Sequence, residues 1–405
     1  MTSDAPMAAD DTGRPSFATG LDRLLAEVSR LEGRSYGLLA HGASVDHRLQ
    51  PAHLALAAAG RSPARLFGPE HGFYGVEQDM VPAADTIDPW TGVPIVSLYG
   101  TDSESLTPRS EAYDGLDLLV IDLQDVGARY YTYAATAVWA AEVALGAGCE
   151  VWVLDRSNPL GGEIVEGNTL GSGFESFVGA FKIPVRHGLT IGELVLLEAG
   201  RRGWASDGLE VFKLSGWQRS DLWPATGRPW IAPSPNLPKF AGTVLYPGLC
   251  LVEATQLSEG RGTTRPFQLV GAPGVDAPAL ADALNDQHHP GVVFSPTWFK
   301  PQFQKHAGQA CAGVQIEVLD ARQVVPYELG VELVAALYNA AGESFAWRDE
   351  PYEFVTHQPA IDLLTGGGQL RAALESGSDF RPWMEGWGDD EERFRDEREE
   401  VLLYR

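Results

Sequence analysis

Cysteine is nearly missing from this chain. Cys149, Cys250 and Cys311, three residues in 405, are too few and too scattered for a disulfide framework or a zinc knuckle, and are expected as buried thiols. Basic residues are scarce as well, 30 against 55 acidic ones, and the formal charge of −25 argues against nucleic acid or an anionic membrane as the main partner. A small anionic ligand is still allowed, because local fields govern at short range. No stretch reaches the roughly eighteen apolar residues of a transmembrane helix. The opening MTSDAPMAADDTGRPSFATG lacks the basic start and apolar centre of a Sec signal. The expectation is a cytoplasmic protein with residues 1–16 disordered, unless an export signal preceded this start.

Familiar site motifs are absent too. No G-x-G-x-x-G follows the first strand and no P-loop occurs, which argues against a nucleotide, and no other cofactor is expected. His41, His71 and His187 fall in loops beside Asp122 and Asp155 but lack H-x-x-x-H spacing, so no metal is assigned. There is no G-x-S-x-G elbow, and Ser234, between two prolines, reads as a turn residue.

What is present suits two or three globular domains: 44% hydrophobic residues, with 45 Gly and 27 Pro. Helical spacing of Leu21, Leu24, Leu25, Val28 and Leu31 predicts a first helix over 17–32. Strands are expected at 35–40, 64–67, 94–99, 117–122 and 150–155, and helices at 51–59, 132–146 and 190–200. Strand, polar loop and helix recur, which is the pattern of a parallel α/β sheet covered on both faces. After residue 275, helix (276–288), strand (291–295), strand (313–319) and helix (327–341) predict a smaller α/β unit. The charge run at 389–400 reads as the solvated face of a terminal helix. The Pro-, Gly- and Trp-rich stretch 215–273 is long and aperiodic, as functional or domain-connecting segments are.

In such sheets ligands sit beyond the carboxyl ends of the strands, where His41, Glu70, Asp122 to Arg129 and Asp155 to Asn158 all fall. The most constrained of these loops is LFGPEHGFYG (66–75), which leaves Glu70 and His71 on a stiff turn among apolar residues. A carboxylic acid so placed suits proton donation to a glycosidic oxygen; the alternative is a cap or an arginine partner. Asp122 and Asp155 read as loop-ordering acceptors, and Asp125, further into its loop, as the better second carboxylate. Arg129, Arg156, Arg186, Arg261 and Arg265 concentrate in these loops, either to bind a ligand carboxylate or to pair with nearby acids.

The ordered motifs LFGPEHGF, TGVPIVSLYG, DLQDVGARYYTY, LDRSNPLGG, IPVRHGLTIGEL, PSPNLP, YPGLCLVEAT and SEGRGTTRPF resemble the exo-β-N-acetylmuramidase family from about residue 35 to the end. The resemblance implies a Rossmann-like domain (17–245), a smaller α/β domain (246–405) and an active site in the cleft between them. It implies release of N-acetylmuramic acid from the non-reducing end of peptidoglycan fragments. Glu70, in the P-E-H-G motif, is then the expected catalytic residue, with Asp125 as second carboxylate or the substrate's own acetamido group in its place. Sugar contacts are expected from His71, Asp122, Gln124, Arg129, Tyr131, Arg156, Asn158, His187, Asn236, Glu259 and Arg261. The chain departs from the family at Ala40-His41, usually Thr-Asn, and at Glu253-Ala254-Thr255-Gln256, usually E-G-T-N. A muropeptide-binding protein without turnover and a metal-assisted hydrolase are the alternatives. Oligomeric state is open.

Overall fold

The computed structural model describes residues 16–341 and 345–405. The segment expected to be disordered therefore lies, except for Ser16, outside the described residues. The N-terminal sheet is built from β1 (Tyr36–Ala40), β2 (Arg65–Gly68), β3 (Thr86–Ile87), β4 (Pro94–Ser97), β5 (Leu118–Asp122), β6 (Glu150–Leu154) and β7 (Leu209–Phe212). Its order is β3-β4-β2-β1-β5-β6-β7, and only the two-residue edge strand β3 runs antiparallel. Taking the parallel strands alone in chain order, the sheet reads 3-2-1-4-5-6, the Rossmann order.

Side chains alternate along each strand, so the two faces of the sheet bury different sets. Leu38, Leu66, Val120 and Leu154 pack under α1 (Gly20–Ala26) and α2 (Ala52–Ala58). Leu39, Phe67, Ile121 and Val153 face α3 (Tyr133–Gly146) and α4 (Ile191–Arg202). The first helix is shorter than its apolar spacing predicts. A capping box between Thr19 and Asp22 starts it, but the backbone leaves helical geometry at Glu27 and continues as a 3-10 turn, Val28–Leu31.

The second unit has an antiparallel sheet in the order β8-β10-β9, with β8 at Leu269–Ala272, β9 at Val292–Phe299 and β10 at Cys311–Val318. Helices α5 (Phe240–Leu249), α6 (Ala277–Asn285) and α7 (Pro326–Ala341) accompany it, followed by α8 (Ala360–Thr365), α9 (Gln369–Ser376), α10 (Arg381–Glu385) and α11 (Trp387–Arg398). The charge run lies on α11, largely exposed, although Arg398 is buried and donates to the carbonyls of Glu163, His187 and Gly188. Among the described residues no helix is long and apolar enough to cross a membrane.

The two units share one hydrophobic core, which runs from Ile121 and Tyr130 through Leu249 to Val331 and Leu364. Polar contacts lock the junction. Glu166 Oε1 accepts the N–H groups of Tyr327 (2.6 Å) and Glu328 (3.2 Å) at the start of α7, where a helix presents unpaired donors. Tyr327 OH donates to Asn168 Oδ1 at 2.9 Å. The carboxyl-terminal residues return to the first sheet: Leu403 N–H donates to Glu193 Oε1 (2.9 Å) and Tyr404 OH to Asp155 Oδ2 (2.5 Å). Burial pushes the Asp155 carboxyl up to about 7, even though Tyr404, Thr190 and Gly192 donate to it.

Helices α5 and α7 touch backbone to backbone at Gly248 and Gly330, where a Cβ on Gly330 would stand 2.3 Å from Gly248 Cα. No side chain can be accommodated there without separating the helices. Gly330→Ala should therefore lower stability by about 3 kcal/mol or more, read as a shift in denaturant midpoint. A midpoint equal to wild type would show that this close approach is not needed.

Candidate active site

β2 delivers its loop as the sequence suggests. His71 (φ 68°) and Gly72 (φ 76°) both take left-handed backbone, and Gly72 N–H closes the turn on Pro69 O at 2.9 Å. Glu70 is thereby turned inward, 5% exposed, with Thr132 Oγ1 donating to its Oε2 at 2.7 Å. Thr132 is the residue at which α3 begins, and Tyr133 OH lies 3.1 Å from Glu70 O. His71 Nδ1 is 3.0 Å from Glu77 O. A carbonyl can only accept, so Nδ1 carries a proton.

Glu70 and His71 line a narrow pocket of about 30 Å³ whose walls include Asp79, Tyr131, Thr132, Tyr246, Glu253, Arg261, Tyr352 and Glu353. Arg261 is set among three acids: NH2 is 2.6 Å from Glu253 Oε1, NH1 3.1 Å from Asp79 Oδ1 and Nε 3.3 Å from Glu259 Oε1. Burial weighs against its charge, but these carboxylates more than offset that and hold the guanidinium protonated. Glu253 Oε2 also accepts from Tyr352 OH (2.8 Å), and Glu353 Oε2 from Tyr99 OH (3.0 Å). Glu353 reaches the pocket on strained backbone, with φ 45° followed by 66° at Phe354, each left-handed residue costing about 1–3 kcal/mol. One oxygen each of Glu70, Asp79 and Glu353 lies within 4.8 Å of the others. Among the described residues this is the group that could approach a shared cation.

Other expected residues serve the frame. Asp122 and Arg156 form a buried two-pronged pair (2.6 and 2.9 Å) with each other. Arg129, expected as a sugar contact or as the partner of a nearby acid, donates to the carbonyls of Asn168 (2.7 Å), Ile183 (2.9 Å) and Leu364 (2.8 Å). Asp125 Oδ2 accepts from Gly127 N–H (2.6 Å) and lies 3.4 Å from His187 Nε2. His187 Nδ1 accepts from Leu189 N–H, which puts the imidazole proton on the side of Asp125. Asn158 braces Leu160 N–H and Leu189 O, and Gln124 donates to the carbonyls of Asp125 and Ser157. Asn236 donates to Gln78 Oε1 (3.0 Å), and Glu259 pairs with Lys305 (2.9 Å). Arg186 donates to Leu160 O and Arg265 pairs with Glu317. At the two departures from the family, His41 Nε2 accepts Gln124 N–H, whereas Glu253 lines the pocket and Gln256 the wider space beside it. Asp79, Thr132 and Glu353 are wall residues that sequence reasoning missed. The available signal was Glu353 between two aromatics, Tyr352 and Phe354, in an aperiodic stretch.

Two family descriptions match consecutive segments: exo-β-N-acetylmuramidase NamZ, N-terminal, over residues 36–241, and its C-terminal counterpart over 244–404. The chain belongs to the NamZ exo-β-N-acetylmuramidase family. It is 36% identical over 405 residues, 99% of this chain and 95% of the relative, to the peptidoglycan β-N-acetylmuramidase NamZ of Bacillus subtilis (strain 168). Two DUF1343 family proteins from Bacteroides fragilis NCTC 9343 have similar crystal structures. One is 32% identical with a TM-score of 0.85, the other 27% identical with a TM-score of 0.73; each alignment covers 96% of this chain and 99% of the other. Both segments matched to NamZ contribute walls to the pocket, the first through Glu70 to Leu237 and the second through Tyr246 to Glu353.

Thr132 is the side chain that orients Glu70. Thr132→Val keeps the shape and removes the donor, and it should lower kcat by about tenfold with KM little changed, as the loss of one hydrogen bond of about 1.4 kcal/mol implies. An unchanged kcat would deny Thr132 that role.

Proposed function

We propose that this protein is an exo-acting glycoside hydrolase that releases N-acetylmuramic acid from the non-reducing end of peptidoglycan fragments, with Glu70 as its general acid. The observation that carries this reading is the placement of Glu70, turned inward on a pocket wall, in a chain similar over 99% of its length to a named β-N-acetylmuramidase. We divide the chain at 17–245 and 246–405 and take the pocket as the cleft between these domains, a division supported by where the two family segments meet. A wider space of about 310 Å³, also walled by Asp79 and Glu253, adjoins the pocket and would receive the rest of the fragment.

Hydrolysis needs a proton on the leaving oxygen and an electron pair at the anomeric carbon. Glu70 supplies the proton. The acetamido oxygen of the substrate supplies the electron pair, because Asp125 is not among the walls of the pocket. Of the five loop arginines, Arg261 is the one that lines the pocket, so recognition of the lactyl carboxylate falls to it.

Glu70→Gln should lose at least about a hundredfold in kcat on a chromogenic β-N-acetylmuraminide while keeping its circular dichroism; a loss below about tenfold would remove Glu70 as the acid. Wild type should prefer the muraminide to the corresponding glucosaminide, which lacks the lactyl carboxylate. Arg261→Lys retains the charge that offsets the surrounding acids but loses the fork, and should narrow that preference. An unchanged ratio of kcat/KM values would take the carboxylate away from Arg261.

A further inference from the structure

The segment that follows α7 is tied to the loop after Val252. Gln256 N–H donates to Ala346 O (2.9 Å) and Arg348 N–H to Ala254 O (2.8 Å). These bonds put the half-buried Arg348 on the wall of the wider space of about 310 Å³, opposite Asp79, Glu253, Glu259 and Lys305. The cations around this space are not equally occupied. Arg261 holds three carboxylates, and Lys305 Nζ has Glu259 Oε2 (2.9 Å) with the carbonyls of Val252 (3.0 Å), Glu253 (3.2 Å) and Leu257 (3.1 Å). Among the described residues, Arg348 has no carboxylate within ion-pair distance: its NH2 meets Met80 Sδ and Pro351 O, both at 3.4 Å, and its Nε is buried without an acceptor. The neighbouring acids Asp349 and Glu350 accept from Gln256 Nε2 instead (3.3 and 3.4 Å). The guanidinium lies 5.1 Å from the centre of the Tyr352 ring, whose hydroxyl is fixed by Glu253 (2.8 Å). A guanidinium partly withdrawn from water without an anion carries a desolvation cost that an incoming carboxylate would offset.

We propose that Arg348 binds a carboxylate carried by the departing part of the fragment, beyond the scissile bond. The inference rests on the reading of the protein as a hydrolase that receives this part in the wider space. Two groups can supply the carboxylate: the lactyl ether of the next muramic acid residue, or the acids of a stem peptide attached to it. In either case two carboxylate oxygens meet the planar fork of the guanidinium. Arg261 lines the narrow pocket with Glu70, whereas Arg348 lines the wider space and not the narrow one. Arg348 is thus a specificity residue that favours longer, acidic fragments and takes no part in bond cleavage. Binding made equally in the ground and transition states is read in KM.

The test compares substrates with and without a carboxylate beyond the scissile bond. A chromogenic β-N-acetylmuraminide and the disaccharide N-acetylmuramyl-N-acetylglucosamine lack one; the tetrasaccharide that repeats this disaccharide has one, as does the same tetrasaccharide with a stem peptide on its second muramic residue. Arg348→Gln should lower kcat/KM on a tetrasaccharide by about tenfold, chiefly through KM, and leave the first two substrates within about twofold of wild type. Arg348→Lys keeps the charge without the fork and should recover part of the loss. The peptide converts the lactyl carboxyl to an amide. A loss seen only on the peptide-free tetrasaccharide therefore assigns the lactyl group, and one seen with the peptide assigns the peptide's acids. An equal loss on all four substrates would overturn the proposal, because Arg348 would then only offset the surplus charge of Asp79, Glu253 and Glu259. So would unchanged kcat/KM on both tetrasaccharides, or a narrowed preference for muraminide over glucosaminide, which would move Arg348 to the released sugar. Should Arg348→Gln not fold, salt decides in wild type: raising NaCl from about 0.05 to about 0.5 M should shrink the advantage of the tetrasaccharides over the disaccharide, because salt screens a half-exposed ion pair. A constant ratio refutes it. Should wild type turn over no muraminide, the hydrolase reading fails, and calorimetric binding of the tetrasaccharides with and without Arg348→Gln still decides the role of Arg348.

Discussion

Glu70, Asp79, Glu253 and Glu353 line one pocket beside a single guanidinium, that of Arg261. Removing that much negative charge from water costs several kcal/mol per unpaired ion, and the surrounding structure is arranged to offset it. Tyrosine and threonine hydroxyls from both segments point at these acids, and Arg261 touches three carboxylates including Glu259. Burial, together with the same imbalance, pushes the Glu253 and Glu353 carboxyls above their ordinary range.

The parallel sheet was readable because its central strands are unbroken apolar runs such as Leu118 to Ile121, and the helices between them repeat apolar residues at helical spacing. Helix α5 was not, because Tyr246-Pro247-Gly248 carries turn chemistry. In the fold, Pro247 lies inside the helix, without the N–H that would bond one turn back, and gives its carbonyl to Tyr130 OH (3.1 Å), and Gly248 lets α7 approach. Edge strands β3 and β7 are short and partly exposed, so alternation had too few positions to register.

Site residues divided along a similar line. Glu70 was legible because glycine and proline crowd around one carboxylate. Of the arginines, Arg156, Arg261 and Arg265 pair with acids, one of the two readings the sequence allowed, whereas Arg129 and Arg186 turn to backbone carbonyls, since a sequence shows the donor and not its acceptors. The three acceptors of Arg129 are backbone carbonyls, one of them 235 positions away, and backbone carbonyls leave no mark in composition. Asp79 and Glu353 come from irregular segments with no periodic signal, and only the tertiary fold brings them to Glu70.

The return of residues 403–405 to the first sheet sets an order of events during synthesis. Strands β1 to β7 emerge early, yet Asp155 meets Tyr404 across 249 positions, and Glu193 waits for the backbone of Leu403 across 210. Contacts of such long range form late, because the loop they close must be ordered first. The strands of the Rossmann-like sheet are thus made before the antiparallel unit, whereas the contacts of Asp155 and Glu193 wait until that unit has been synthesised. A nascent chain that stops between them carries buried acids without their last hydrogen-bond donors.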